Sequence, residues 1–390
     1  MGVWKRDDLE PEPESRDAQA FSSPRGQTMR GPSVITTVGS SNAIDGTVTG
    51  DNDLLVRGRV TGKITLLENS VTIANSGRVR AEIRAKSISV LGEVVGDLIA
   101  GDEVVVHPSG SVQGNILASR VSLESGCRFK GSIDMEKAPS ASSAKQKLEP
   151  SVRRPQEIAE PVQRASAQTV IGSGSESGRF EVLEERLFTL PDDYSSRALR
   201  EGVAHLRSPG CKTILDLGRP SGDNVRFFSD YNCRLFISDF FDSLAREGTA
   251  ARRSTAAFSD ACSRLLEFPP GTYFDLILLW DLLNYFNLAE IGILMDSLRC
   301  RCRPGTRIIA LLSIYRSMPD EPFRFIASDG TRLRYELATK ARRDSPRHME
   351  VDVLSEMPGF EVETCTLLRH GMREYCFVLN ENGRQPSTTI

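Results

Sequence analysis

No apolar run in the 390-residue chain reaches the roughly 20 residues that a membrane-spanning helix needs. The longest, Leu276 to Trp280 and Arg307 to Tyr315, are short or interrupted, so no transmembrane helix is expected. A signal-peptide pattern is also missing, because the N-terminus runs directly into Lys5, Arg6, Asp7 and Asp8, and a cytoplasmic chain is expected. Neither sign of charge is in excess: the formal net charge of −3 gives no reason to expect a nucleic-acid partner. Nothing interleaves aromatic with basic residues as a nucleic-acid face would. Cysteine spacing lacks a framework, since seven of the eight lie in the back half and only Cys300 and Cys302 are close together, so reduced thiols are expected. Neither His205 nor His348 stands at ligand spacing, and no metal site is expected.

What the front half does contain is repetition. An apolar residue, a spacer, a small residue, a spacer and another apolar residue recur as Ile44-Gly46-Val48, Val60-Gly62-Ile64, Val79-Ala81-Ile83, Val94-Gly96-Leu98, Val112-Gly114-Ile116 and Phe129-Gly131-Ile133. Their starts lie 16, 19, 15, 18 and 17 residues apart, and a second phrase (Leu54/Val56, Val71/Ile73, Ile88/Val90, Val104/Val106, Val121/Leu123) recurs every 16 or 17. Self-similarity at this period means a stacked solenoid. Alternation at period two makes each phrase a short strand with one face inward, and the small residue points outward or sits at a bend. One repeat is therefore one coil of a parallel β-helix of six rungs. Its first and last rungs offer unpaired backbone and apolar ends unless something covers them.

The flanking chain is rich in Pro, Ser, Arg and Glu and would make a poor cap. The opening Val34-Ile35 followed by Gly39, the six rungs of about 17 residues and the closing Phe129-Lys130-Gly131-Ser132-Ile133 resemble a bactofilin domain. That resemblance implies a bacterial cytoskeletal filament that polymerises end to end without nucleotide, with self as partner. Val34, Ile35, Phe129 and Ile133 would lie at the polymer interface. Two other β-helix readings stand beside it: a hexapeptide acyltransferase, which wants regular rungs of 18 and a catalytic His where only His107 is present, and a monomeric spacer.

Residues 1–33 and 381–390 are expected to be disordered tails, residues 34–135 the β-helix and residues 136–178 a disordered Pro- and Ser-bearing linker. Met1-Gly2-Val3-Trp4-Lys5-Arg6 places a Trp beside two cations, which suits a weak membrane-surface contact that a polymer would multiply. It would locate filaments at the inner face of the cell membrane.

Across residues 179–380 the grammar changes to helices alternating with apolar strands, the pattern of an α/β Rossmann-like parallel sheet. Helices are expected over 180–190 and 193–206 and from about Asp223. Strands are expected over 212–217, 234–237, 274–279 and 306–313, with a closing pair near 360–368 and 374–379. The first strand runs into Asp216-Leu217-Gly218-Arg219-Pro220-Ser221-Gly222, a turn at which such a fold places a nucleotide-like ligand. Gly218 permits a close approach, Gly222 opens a helix aimed at the ligand, and Asp239 follows Asp216 by 23 residues, where a carboxylate reaches ribose hydroxyls.

These residues, with Asp260-Ala261 ahead of Phe274-Asp275-Leu276-Ile277 and the turn Arg303-Pro304-Gly305-Thr306, resemble a class I S-adenosylmethionine-dependent methyltransferase. The resemblance implies S-adenosylmethionine as cofactor, bound by Asp216, Gly218, Gly222, Asp239, Asp260 and Ala261. The sequence departs from it where Pro220 replaces the middle glycine and where the third strand should lie, since Arg252 to Phe258 is polar and Ala-rich. No catalytic residue is assigned. Asp281, Tyr285, His348 and His370 are conceivable bases, but a structural role is the stronger expectation for each, Asp281 as the cap of a following helix. Met318 to Met357 occupies the place of a substrate cover, with a hairpin expected around Asp329-Gly330 and an Arg342, Arg343, Arg347 group that suits an acidic partner or a solvated surface. Two functions follow: a scaffold whose filaments display a methyltransferase-like domain of weak or lost activity, or an active methyltransferase localised by its β-helix.

Overall fold

A computed structural model describes residues 35–134, 193–328, 332–368 and 371–380. Val34, Met1–Arg6, the linker, the helix expected over 180–190, Asp329-Gly330 and His370 lie outside the described residues.

The front half coils. Strands β1 (Ile35–Val38), β2 (Ala43–Thr49), β3 (Asp53–Val56), β4 (Arg59–Ile73), β5 (Arg78–Val90), β6 (Glu93–Val95), β7 (Leu98–Val106), β8 (Ser111–Gln113), β9 (Ile116–Leu123) and β10 (Arg128–Asp134) stack in parallel. Their register lines up three inward columns of six: Val38-Val56-Ile73-Val90-Val106-Leu123, Ile44-Val60-Val79-Val94-Val112-Phe129 and Val48-Ile64-Ile83-Leu98-Ile116-Ile133. The small residue of each phrase sits at the bend between the second and third columns. At Gly114, φ is +150°, and a Cβ there would lie 2.2 Å from the Gly96 carbonyl oxygen one rung below. The corner therefore needs glycine for its backbone angle and for the closeness of the next rung.

The back half is a doubly wound α/β sheet. Strands β12 (Lys212–Asp216), β13 (Cys233–Ser238), β14 (Phe274–Trp280), β15 (Cys302–Ser313), β20 (Phe360–Leu367) and β21 (Met372–Leu379) lie in the order β13-β12-β14-β15-β21-β20. Only β21 runs against both its neighbours, so the closing pair inserts one reversed strand. Helices α1 (Arg197–Leu206), α2 (Gly222–Ser229), α3 (Phe240–Arg246), α4 (Thr255–Leu265), α5 (Leu288–Arg299) and α6 (Glu350–Ser355) cover it. Between β15 and β20, β16 (Ser317–Pro319) pairs β19 (Arg342–Asp344), while β17 (Arg324–Ser328) pairs β18 (Arg332–Glu336) and, through it, β11 (Tyr194–Ser195). Fully buried Glu374 of β21 ties α1 down by accepting from Ser196 Oγ at 2.5 Å and from the first amides of that helix, Arg197 at 3.0 Å and Ala198 at 3.1 Å. Among the described residues no helix is long and apolar enough to cross a membrane.

Where a third strand was sought, the chain forms a 3-10 turn, Thr249–Arg252, and then α4. Phe258, Ala261, Cys262 and Leu265 are its buried residues, a helical spacing, and Ser254 caps it by accepting from the Ala257 amide. The vacated edge of the sheet is filled from the other half of the molecule. β10, the last rung of the solenoid, pairs antiparallel with β13 from Lys130↔Ser238 through Gly131↔Ile237, Ser132↔Phe236 and Ile133↔Leu235 to Asp134↔Arg234. Arg234 closes the pair with two hydrogen bonds to Asp134 Oδ2, at 2.8 and 3.2 Å. A single 16-stranded sheet thus runs from the first rung to β20. One apolar core also crosses the junction, holding Leu123, Phe129 and Ile133 together with Val225, Phe228 and Ile237.

Candidate functional site

The glycine-bearing turn sits where doubly wound sheets bind ligands, at the carboxyl end of β12. Asp216 is the last residue of that strand, and its carboxylate is 1% exposed. Oδ1 accepts from the Trp280 indole Nε1 at 2.7 Å and from the Gly218 amide at 2.9 Å, and Oδ2 accepts from Asn224 Nδ2 at 3.4 Å. Burial pushes its pKa up to about 6, against the pull of those three donors. Asn224 is itself fixed, donating to the Phe325 carbonyl at 3.0 Å and accepting from the Ala327 amide at 2.8 Å. The turn then closes into α2 through Ser221, which caps the helix, with Pro220 buried ahead of it.

Gly218 does permit a close approach, and what approaches is Trp280. A Cβ on Gly218 would lie 2.5 Å from Trp280 Cδ1. Trp280 is 2% exposed, takes φ of +52°, a costly angle for a bulky residue, and stacks on Phe325 with ring centroids 5.2 Å apart and planes 7° from parallel. The surrounding packing holds that angle. The methionyl part of S-adenosylmethionine would need the space in front of Gly218 and a free Asp216 carboxylate. As arranged, these residues do not fit the cofactor, because an indole fills the first and three donors engage the second.

The other expected ligands disperse. Asp239 follows β13 and caps α3, accepting from the Asp242 amide at 3.1 Å, and burial raises its pKa despite that bond. Asp260 is exposed on α4, and Ala261 is buried in the core that also holds Leu217 and Phe240. Gly222 opens α2 as expected, but its neighbour is the solenoid: a Cβ there would lie 2.5 Å from the Leu123 carbonyl oxygen. At the solenoid ends, Ile35 is 57% exposed on the first rung, whereas Phe129 and Ile133 on the last are 3% and 0% exposed.

Of the conceivable bases, Asp281 is buried beside Trp280. Its Oδ2 accepts from the Phe323 amide at 3.1 Å, its Oδ1 has no hydrogen-bond partner among the described residues, and burial pushes its pKa up to about 7. It stands at the head of the 3-10 turn Leu282–Tyr285 without a side-chain capping bond. Tyr285 donates to the Pro319 carbonyl at 3.2 Å, and burial raises its pKa far above the ordinary phenol range. His348 Nε2 lies 2.8 Å from the Phe286 carbonyl oxygen. The cover is closed over all of this by the Phe323, Phe325 and Tyr335 rings and an Arg219–Glu321 ion pair. Arg343 lies over the Tyr285 ring at 5.5 Å. Trp280 and Asn224 are the residues that sequence reasoning missed as parts of this site. A Trp at a strand end reads as core, and Asn224 carries no motif.

Residues 36–134 match the model of the family described as "Bactofilin: Polymer-forming cytoskeletal". The chain is similar to Bactofilin BacO of Myxococcus xanthus, 41% identical over 101 residues that cover 26% of this chain and 79% of that protein. Bactofilin BacP of the same organism is 37% identical over 136 residues, covering 35% of this chain and 55% of that protein. Among solved structures, similarity extends to the glycopeptide N-methyltransferase MtfA complexed with S-adenosylmethionine, with 16% identity, 48% of this chain and 95% of that chain covered, and a TM-score of 0.28. A S-adenosylmethionine-dependent methyltransferase from Clostridium acetobutylicum gives 12% identity, 52% and 99% coverage and a TM-score of 0.31. At scores this low the α/β fold rests on the strand order of the chain itself.

Proposed function

The chain belongs to the bactofilin family, and on that premise we propose that its solenoid self-assembles into cytoskeletal filaments without nucleotide and carries a methyltransferase-like domain of weak or lost activity. The identity of the 101-residue stretch to a bactofilin supports the first part. Trp280 seated against Gly218 and bonded to Asp216 carries the second. A weak membrane-surface contact through Met1–Arg6, multiplied along a polymer, would hold the filaments at the inner face of the membrane.

The second reading, an active methyltransferase localised by its solenoid, draws on Asp239, which is only half-buried at the end of β13. Titration calorimetry of the full chain with S-adenosylmethionine separates the two. The scaffold reading expects no binding by the wild type up to millimolar ligand and measurable binding once Trp280→Ala or Pro220→Gly opens the crevice. Micromolar affinity in the wild type would overturn the loss of activity and favour an enzyme or a cofactor sensor.

A further inference from the structure

The two ends of the solenoid are in different states. Among the described residues the first rung is open: Ile35 is largely exposed, Ile44 and Val48 are only partly buried, and β1 and β2 each pair on one side, with β3 and β4 respectively. The last rung is occupied by its own chain. β13 runs beside β10 for five residue pairs, Gly222 seats the start of α2 on the Leu123 backbone, and Arg234 grips Asp134 from across the pair. Lys130, on the same rung, loses hydration to the junction and feels Glu267 and Glu247 of the α/β half.

Over Lys130 to Asp134, a last rung paired in this way offers no backbone edge to another solenoid. Either β13 or a second copy can lie against β10, because each would use the same outward N–H and C=O groups. We propose that the α/β domain is a removable terminator of assembly. Docked, it leaves the chain one open end, so that contact between like ends stops at pairs; undocked, it frees the last rung and filaments grow. The α/β sheet gains from docking the edge strand that its own sequence does not provide, which sets two users of β10 in direct competition. This proposal rests on the filament reading above.

The test uses the full chain in two forms. In the first, Asp134→Cys with Arg234→Cys on a Cys211→Ser background is oxidised to lock the junction and then reduced. The second is Gly222→Val, whose added methyls meet the Leu123 carbonyl and open the junction. Sedimentation velocity and negative-stain electron microscopy read the assembly state, and circular dichroism reads folding. The terminator predicts that the locked chain sediments as monomer or dimer without filaments, that reduction raises filament mass at least tenfold, and that Gly222→Val exceeds the wild type. Equal filaments in the locked and reduced chains would sink the terminator and leave the filament reading standing. Absence of filaments from every folded form, the opened one included, would overturn both.

Discussion

Replacing Asp216 with Asn isolates what the buried carboxylate costs. Its pKa rises from 3.8 to about 6 on folding because burial disfavours the charged form more than Trp280, Gly218 and Asn224 favour it. A folded-state value above the unfolded one means that the native state holds the proton more tightly. Stability is therefore greatest below the unfolded pKa and falls as pH rises through the folded one. Two units correspond to a total cost of about 3 kcal/mol at neutral pH, of which about 1 is already lost near pH 4.5 and about 2 between pH 4.5 and 7.5. Asn keeps an oxygen for the Gly218 and Trp280 donors but sets an amide against Asn224 Nδ2, which its own bonds prevent from turning, at a cost of about 1 kcal/mol. Asp216→Asn should thus be near-neutral to slightly destabilising around pH 4.5 and stabilising by about 1–2 kcal/mol at pH 7.5. Urea unfolding followed by tryptophan fluorescence at both pH values measures it. A difference between variant and wild type that does not change with pH would refute the reasoning, because an Asp216 open to solvent behaves that way.

Three further outcomes test other joints. Gly114→Ala, with φ at +150° and a backbone oxygen 2.2 Å from the new Cβ, should lower stability by about 1–3 kcal/mol in urea, while Gly101→Ala, whose nearest atom is 3.9 Å away, should change it by less than about 0.5. Phe129→Ala removes a ring from the core shared by both halves and should cost about 3–5 kcal/mol, visible as a lowered melting temperature as well as a change in assembly. Glu374→Ala strips the amides of Arg197 and Ala198 and the Ser196 hydroxyl of their acceptor, and should destabilise by at least about 1–3 kcal/mol, with the new hydrogen exchange concentrated in α1.

The three inward columns were readable because each rung must supply its own Val, Ile or Leu at the same place, and the glycines between them because a bent backbone tolerates little else. The junction was not readable. β10 pairs with β13 through main-chain groups, and Ile133 is apolar whether its neighbour is another rung or another half of the chain. The third strand was sought by analogy, although Phe258, Ala261, Cys262 and Leu265 already carried the period of a helix. Trp280 hid for a similar reason: a left-handed residue announces itself when it is Gly, but a Trp held there by Asp216, Gly218 and Phe325 reads as an ordinary core residue.

The continuity of the sheet also gives the molecule a mechanical character. Strands of a solenoid lie across its axis, so tension along the axis loads the hydrogen bonds between rungs end-on, with every rung carrying the same force. Most rungs share it over two or more strand segments, as β4 and β5 do along twelve residue pairs, whereas β10 and β13 share it over five. A chain pulled between its first rung and β13 should part at that junction first, because successive rungs are joined by short turns whereas Asp134 and Arg234 stand 100 residues apart in the chain, which makes the seam between the two halves the fuse of the assembly.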